Sequence, residues 1–292
     1  MTSTPASPET DAADARAPVA ALTMLRDDAV FLRIWVRHHA AAFGAENLFV
    51  ILDGQDQTVP PGLGPVNVIR VPHVPSDRTR GDRARARLLS QVASGLLLHY
   101  RRVVASDVDE LLCLDPRAGD SLSAYLLAGM RHAAVSAVGL DVGEHPDHEA
   151  ALDFDAPVLR QRAHARLSSR YTKPVVCRRP VRWGSGLHRV KGRGLHIDPN
   201  LLLFHIGLVD RDLAAAKAGR AGLRASGWEA HFERRFELYD AMRRYRAQDF
   251  DALMPRALAR MRWLRPIYAL NKPGTLPADM IVRLPERLRG LF

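Results

Sequence analysis

The sequence predicts an α/β fold in which a mostly parallel sheet is flanked by helices and followed by a helical C-terminal extension. Short apolar segments typical of buried strands alternate with amphipathic helical segments over the first half of the chain. Acidic residues directly follow two of these strands, at Asp53 and Asp107. Ligands of α/β sheets bind beyond the carboxyl ends of the strands, so we expect a functional site at that edge.

The elements of the first half follow from the spacing of apolar residues. Residues 19–25 form a short apolar run, and helical spacing from Asp28 to His39 predicts a first helix, which Asp27 or Asp28 would cap. The further predicted elements are strands at 48–52, 66–71, 102–105 and 133–142 and helices at 82–99 and 121–130.

The second half is less regular. Residues 143–169 show no clear period and predict a long loop with at most one helix, whereas 201–206 again has the pattern of a strand. From Asp210 onward the pattern is helical and amphipathic. We therefore predict three regions, which are a disordered tail at 1–18, an α/β domain at 19–210 and a helical extension packed on it at 211–292.

The composition of the chain is that of a globular protein. An apolar fraction of 47% and a charged fraction of 25% are ordinary for a globular chain of 292 residues. No apolar run approaches the roughly 20 residues of a membrane span, and the N-terminus lacks the pattern of a secretory signal. Only two cysteines occur, so we expect a cytoplasmic protein.

The net charge of +10 comes largely from arginine in a chain rich in Ala, Gly and Pro. It fits an ordinary solvated surface as well as it fits an anionic ligand. No sequence motif of a nucleic-acid-binding domain is present, and we expect no nucleic-acid partner.

The most informative motif is the apolar strand that ends in Asp107-Val108-Asp109 and continues as Glu110-Leu111. Two carboxylates at positions i and i+2 near a strand tip offer the oxygen ligands that Mg²⁺ and Mn²⁺ prefer. A helix-capping turn is the alternative interpretation of an isolated Asp-x-Asp. The preceding buried strand and the apolar residues that follow favour a metal site.

In this context the chain resembles bacterial family-2-like glycosyltransferases, which have the GT-A fold, a Rossmann-related α/β architecture. The resemblance covers residues 19–210 and depends on a set of motifs that occur in the expected order. These motifs are Met24-Leu25-Arg26-Asp27-Asp28, Trp35-Val36-Arg37-His38-His39, Phe49-Val50-Ile51-Leu52-Asp53-Gly54, Ser106-Asp107-Val108-Asp109-Glu110-Leu111, Lys173-Pro174-Val175-Val176, Trp183-Gly184-Ser185-Gly186-Leu187-His188 and Leu202-Leu203-Phe204-His205.

The resemblance implies transfer of a sugar from a nucleotide-diphosphate donor, expected to be a UDP-sugar, to a glycan or lipid-linked acceptor. It implies a bound Mn²⁺ or Mg²⁺ and inversion at the sugar, which needs a general base. It places Asp53 at the nucleobase, Arg26 and Asp27 along the nucleotide, and Asp107 at the ribose or the metal. Asp109 would bind the metal directly, with His188 as the first choice and His205 as the second for a further ligand.

Three sets of residues have weaker support. Lys173 is a candidate for a phosphate contact as a point charge, and Arg83, near a helix N-terminus, is a candidate for the diphosphate. Asp141 and Glu144 lie closest to the end of the strand after the metal motif and are the two candidate bases. A solvated surface is the alternative interpretation for Lys173 and Arg83, and a core histidine is the alternative for His205.

Two other functions are consistent with parts of the sequence. A nucleotidyltransferase also pairs acids at a strand tip, but the first strand here runs into Arg26-Asp27-Asp28 without the expected glycine-rich loop. A basic binding module is the other alternative, and residues 256–265 could lie on an anionic membrane as a basic amphipathic helix. Peripheral contact with the inner face of the membrane is also compatible with the enzyme.

Overall fold

The computed structural model describes residues 14–219, 229–265 and 267–292, so residues 1–13 of the predicted tail lie outside it. The strands are β1 (Ala17–Leu25), β2 (Leu48–Asp53), β3 (Asn67–Val71), β4 (Tyr100–Ala105), β5 (Glu110–Leu114), β6 (Ala134–Gly143), β7 (His164–Leu167), β8 (Pro174–Cys177), β9 (Ile197–Leu208), β10 (Gln248–Asp249) and β11 (Ile281–Arg283). The helices are α1 (Ala29–Phe43), α2 (Arg78–Leu96), α3 (Leu122–Gly129), α4 (Val158–Gln161), α5 (Arg211–Ala218), α6 (Glu229–Arg244) and α7 (Phe250–Trp263).

The first four strands form the parallel part of the sheet, in the order β3-β2-β1-β4. Helices α1 and α2 contact this part, and their apolar residues, such as Trp35 and Leu89, are fully buried. Because the strands are parallel, their carboxyl ends meet at one edge. The predicted α/β architecture, a central sheet flanked by helices, is confirmed.

Beyond β4 the sheet is mixed. Strand β8 lies between β4 and β6 and is antiparallel to both, and β6 in turn pairs antiparallel with β7 and parallel with β9. Strand β5, formed directly after the Asp-x-Asp motif, pairs antiparallel with β9. Residues 143–169, predicted as a loop, contribute α4 and β7, so that prediction was incomplete.

Helix α2 begins earlier than the predicted residue 82. The side chain of Asp77 accepts hydrogen bonds from the backbone N–H groups of Thr79 and Arg80 and so caps the helix at Arg78. The helix is therefore longer at its N-terminus than the apolar spacing predicts, and the added turn contains Arg78 and Arg80.

The C-terminal segment contains α5, α6 and α7, as the helical pattern predicts, and also strands of the central sheet. Strand β11 pairs antiparallel with β7, and β10 pairs with β11. The segment therefore completes the sheet as well as covering it. Among the described residues, no helix has the length and hydrophobicity of a transmembrane span.

An ion-pair network fixes the end of the chain to this sheet. Buried Asp115 accepts hydrogen bonds from Arg287 at 3.0 and 3.1 Å and from Arg117 at 2.8 Å, and Arg287 also binds Asp251. Burial raises the pKa of Asp115, but the bonds from Arg287 and Arg117 outweigh it and lower the pKa to about 2. The carboxylate form therefore stabilises the fold.

We expect Asp115→Asn to lower the free energy of unfolding by about 2 kcal/mol at neutral pH, measured by urea denaturation. Because the pKa in the folded state lies below the ordinary value of 3.8, this contribution is present above that pH and is lost as the pH falls towards 2. The difference between wild type and variant should therefore shrink over that interval. The exposed Asp120 provides the control, since Asp120→Asn should change nothing; a constant difference across pH would contradict the prediction.

Candidate active site

The register of the strands gathers several acids and bases at the carboxyl edge of the sheet. Strand pairing places Glu110 of β5 opposite His205 of β9, and His205 opposite Asp141 of β6. Ser106 fixes the turn into β5, because its hydroxyl donates to the carbonyl of Glu110 at 3.0 Å and accepts from Trp35 Nε1 at 3.1 Å. The Asp-x-Asp segment therefore lies in a fixed turn beside a buried histidine.

His205 is the centre of this arrangement and is buried. Its Nδ1 lies 2.7 Å from Asp141 Oδ1, and its Nε2 lies 3.3 Å from Asp109 Oδ2. The ring of Tyr171 stacks on the imidazole at a centroid distance of 3.9 Å. Because a carboxylate only accepts hydrogen bonds, Asp141 fixes the proton on Nδ1, and its other oxygen is bound by Arg166 at 3.1 Å.

Arg235 of α6 brings a buried positive charge to the same point. Its Nη2 lies 2.6 Å from His205 Nε2 and 3.6 Å from Asp109 Oδ2. Gly207 makes this approach possible, because a Cβ atom there would overlap the guanidinium and lie 2.7 Å from Asp109 Oδ2. The helical extension therefore supplies a residue of the site.

Asp107 is held by two cations from different elements. Arg85 of α2 donates to its Oδ1, and Lys173, directly before β8, donates to its Oδ2 at 2.8 Å. Lys173 is almost completely buried and also lies 2.6 Å from Glu110 Oε1. The β4–β8 register, which pairs Val104 with Val176, leads to this contact when continued past the strand ends.

We call Asp107, Asp109, Glu110, Asp141, Lys173, Arg85, Arg235 and His205 the central cluster. Burial raises the pKa of Asp107 and of Asp109, but Arg85 and Lys173 at Asp107 and His205 at Asp109 outweigh it and lower both. Burial and nearby carboxylates raise the pKa of Glu110 to about 7, against the opposite effect of Lys173. The two acids of the motif are therefore ionised at neutral pH and matched by cations.

His205 experiences opposing effects. Burial and Arg235 lower the pKa of His205, but Asp109 and Asp141 outweigh them and raise it overall. The imidazole therefore depends on its two carboxylate neighbours for any positive charge it carries. Loss of either carboxylate would shift the histidine towards its neutral form.

A second group of predicted residues lies at the ends of β1 and β2. Arg26 donates to the carbonyl of Asp53 at 2.7 Å and binds Asp56 through two hydrogen bonds, and Asp53 Oδ2 lies 2.9 Å from His73 Nδ1. The backbone N–H of Asp27 donates to Gln57. Since β1 separates β2 from β4, Asp53 and Asp107 follow strands that lie about 10 Å apart.

Three further predicted residues lie outside both the central cluster and the group at the ends of β1 and β2. Arg83 is exposed on α2, whereas Arg85 of the same helix reaches the cluster. Glu144 accepts a hydrogen bond at 3.0 Å from the backbone of Arg211 at the start of α5. His188 lies close enough to Lys173 and Asp107 for their charges to affect its pKa, and its Nδ1 donates to the carbonyl of Arg170 at 2.9 Å.

Burial is the largest cause that lowers the pKa of His188, to about 3, and Lys173 adds to it. The ring is therefore neutral, with Nδ1 protonated and the lone pair on Nε2, which is the form that binds metals. Both oxygens of Asp107 are engaged by cations, and no set of three His, Cys, Asp or Glu side chains in the described ranges is arranged as a metal site. Asp109, with its single contacting oxygen, fits a Mg²⁺-type ion that takes one or two carboxylates and fills its remaining positions with water and phosphate.

Sequence reasoning missed four members of the site, namely Arg85, Glu110, Tyr171 and Arg235. Glu110 stands within a quoted motif and is the first residue of β5, and Tyr171 lies two residues before the motif that begins at Lys173. Arg235 lies outside the predicted α/β domain, and its local sequence is that of an ordinary charged helix.

No protein-family model matches the chain, and no curated protein is significantly similar to it. One solved structure to which the chain is similar is a mannose-1-phosphate geranyltransferase from Thermus thermophilus. The sequences are 12% identical, the TM-score is 0.30, and the match covers 78% of this chain and 64% of that protein. The chain thus spans less than two thirds of that protein's length, and a similarity this weak says nothing about the activity of this chain.

Proposed function

We propose that the protein is a glycosyltransferase that uses a nucleotide-diphosphate sugar, with a UDP-sugar as the first donor to test, and a glycan or lipid-linked acceptor. The observation that carries the proposal is the pairing of Asp107 and Asp109 with Lys173, Arg85 and Arg235 at the carboxyl edge of parallel strands. Such an edge binds ligands in α/β folds. A diphosphate leaving group needs this combination of positive charge and carboxylates that can hold an ion.

The nucleoside would extend from the central cluster to the ends of β1 and β2. Asp53 keeps a partly exposed carboxylate there and is the proposed contact for the nucleobase, with Arg26 and Asp27 lining the same corner. The spacing of about 10 Å between the ends of β2 and β4 suits the distance from a base to a diphosphate. Lys173 and Arg85 would exchange Asp107 for phosphate oxygens when the donor binds.

We propose that the site binds Mn²⁺ or Mg²⁺. Asp109 is the proposed protein ligand, joined by Asp107 once its cations turn to the diphosphate, and His188 offers a neutral imidazole nearby. His205 is committed to Asp141 and Arg235 and fits less well as a ligand. The ion would neutralise charge on the departing diphosphate.

The two candidate bases, Asp141 and Glu144, differ in their exposure to solvent. Asp141 is enclosed and has both oxygens bound, so its role is to position His205. Glu144 has a side chain that is 15% exposed at the end of β6, and we propose it as the base that accepts the proton of the acceptor hydroxyl. Its bond to the backbone of Arg211 and its ion pair with Arg162 at 3.7 Å would then hold the carboxylate in place.

Thermal unfolding with UDP, GDP, CDP and ADP, each with and without Mn²⁺, tests the proposal. A ligand that binds only the folded state stabilises it by RT ln(1 + [L]/Kd), which is about 2.7 kcal/mol at 100 times Kd. We expect one diphosphate to stabilise the protein in the presence of Mn²⁺. In Asp53→Ala the same diphosphate should bind more weakly, whereas in the exposed control Asp120→Ala it should bind as in wild type.

Three other results would contradict the proposed function. Stabilisation by nucleoside triphosphates alone, with release of pyrophosphate, would replace the proposal with a nucleotidyltransferase. If no nucleotide stabilised the protein, the donor site would be excluded. Salt-dependent binding to polyanions without any need for a divalent ion would then identify a basic binding module.

A further inference from the structure

A cluster of exposed apolar side chains lies at the end of α7. Eight large hydrophobic residues are exposed among the described residues, and five of them fall between positions 263 and 270. They are Trp263 (82% exposed), Leu264 (60%), Ile267 (90%), Tyr268 (91%) and Leu270 (53%). Single exposed apolar residues are common, but a contiguous group marks an interaction surface.

The backbone holds this segment in place, so the exposure belongs to the folded state. The N–H of Gly274 donates to the carbonyl of Met261 at 2.9 Å, and Asn271 Nδ2 donates to the carbonyl of Val190 at 2.9 Å. Met261 and Ala269 face inward and are buried. The five apolar side chains are therefore presented outward by an anchored loop.

The charge of the residues around this apolar group indicates an anionic partner. Between Asp251 and Asp279 the sequence contains no acidic residue. It contains five basic ones, namely Arg256, Arg260, Arg262, Arg265 and Lys272. None of the five forms an ion pair within the described part of the chain.

A cavity of about 330 Å³ opens beside Trp263 and is lined by Arg256, Ala259, Arg260, Trp263, Leu264 and Met280. The lining is largely apolar and includes two arginines, of which Arg260 donates to the carbonyl of Thr275 at 2.9 Å. Apolar surface beside arginine suits a phosphate attached to an acyl chain.

We propose that these five exposed side chains, with the flanking arginines, are a docking surface for an anionic lipid bilayer. Aromatic and aliphatic side chains would enter the interface while the arginines pair with lipid phosphates. Another protein would need complementary acidic and apolar surfaces, whereas a bilayer supplies both over any area.

Docking here would place the candidate active site beside the membrane. Asn271 Nδ2 donates to the carbonyl of Val190, which lies two residues after His188. A lipid-linked acceptor, a role that rests on the proposed function, would then approach from the bilayer while the donor enters from solution.

Sedimentation with vesicles of phosphatidylcholine, alone or mixed with phosphatidylglycerol, tests the docking surface in the full chain without nucleotide. We expect binding to the anionic vesicles only, and weaker binding as salt rises. Combined Trp263→Ser, Ile267→Ser and Tyr268→Ser should weaken it by about tenfold or more, because the inserted apolar area is lost. Arg256→Gln should weaken it about fivefold.

The matched control carries Val74→Ser and Leu98→Ser, which remove exposed apolar groups elsewhere (73% and 75% exposed) and should bind like wild type. Equal vesicle binding by the triple variant and wild type would overturn the proposal, as would a wild type that ignores anionic vesicles. A wild type that is dimeric by light scattering, becomes monomeric in the triple variant and binds no vesicles would identify a second copy as the occupant instead. Because vesicle binding is measured without donor, failure of the glycosyltransferase proposal would leave this result unaffected.

Discussion

Asp109→Asn is expected to lower the rate of donor turnover by about 10²- to 10³-fold while leaving the protein folded. Asn keeps the size of the side chain but removes the charge that faces His205 and Arg235 and that would hold a divalent ion. The measurement is release of the nucleoside diphosphate from the sugar donor, with the Mn²⁺-dependent thermal shift as a second readout. Both should be lost together, because one carboxylate serves both.

The neighbouring Asp107→Asn should lower the stability of the fold, which Asp109→Asn should not. Asp107 neutralises Arg85 and the buried Lys173, so its loss leaves Lys173 with Glu110 alone and should also destabilise the fold by about 3 kcal/mol. Asp120→Asn is the exposed control and should leave turnover and stability unchanged. If Asp109→Asn kept most of the activity and the Mn²⁺-dependent shift, the assignment of Asp109 to the ion would be abandoned.

The parallel half of the sheet could be predicted because its signals are local. An apolar strand followed by an acid occurs at Asp53 and again at Asp107, and the parallel strand ends then place both at one edge. The antiparallel half could not be predicted in the same way. Its strands are as short as three residues, and their partners depend on pairing between distant parts of the chain.

The site also combines residues that a local sequence pattern indicates with residues that only the tertiary structure brings together. Arg83 and Arg85 are two residues apart on α2 and therefore point to nearly opposite sides of the helix, so only the tertiary packing decides which one reaches Asp107. Asp141 is a candidate from the sequence because of its place near a strand end. Its bonds to His205 and Arg166 depend on registers that no local pattern specifies.

Gly139→Ala is expected to lower the free energy of unfolding by about 3 kcal/mol, the largest stability effect we anticipate from a single methyl group. Gly139 lies within β6, where the segment from Ser168 to Thr172 crosses it. An added Cβ would overlap backbone atoms of Tyr171 and Thr172 and would lie 2.7 Å from the carbonyl oxygen of Ser168. Backbone atoms cannot rotate away as a side chain can, so the strand or the crossing segment must shift.

That shift would also reach the active site, because the crossing segment carries Tyr171, which stacks on His205, and leads directly to Lys173. Urea denaturation and donor binding should therefore both be impaired in Gly139→Ala. The matched control is Gly95→Ala in α2, where a Cβ would meet no atom within 4 Å. That variant should be more stable by about 0.5 to 1 kcal/mol, since alanine favours the helix and restricts the unfolded chain. Equal stability of the two variants would mean that the close approach of β6 to the crossing segment does not hold the site in place.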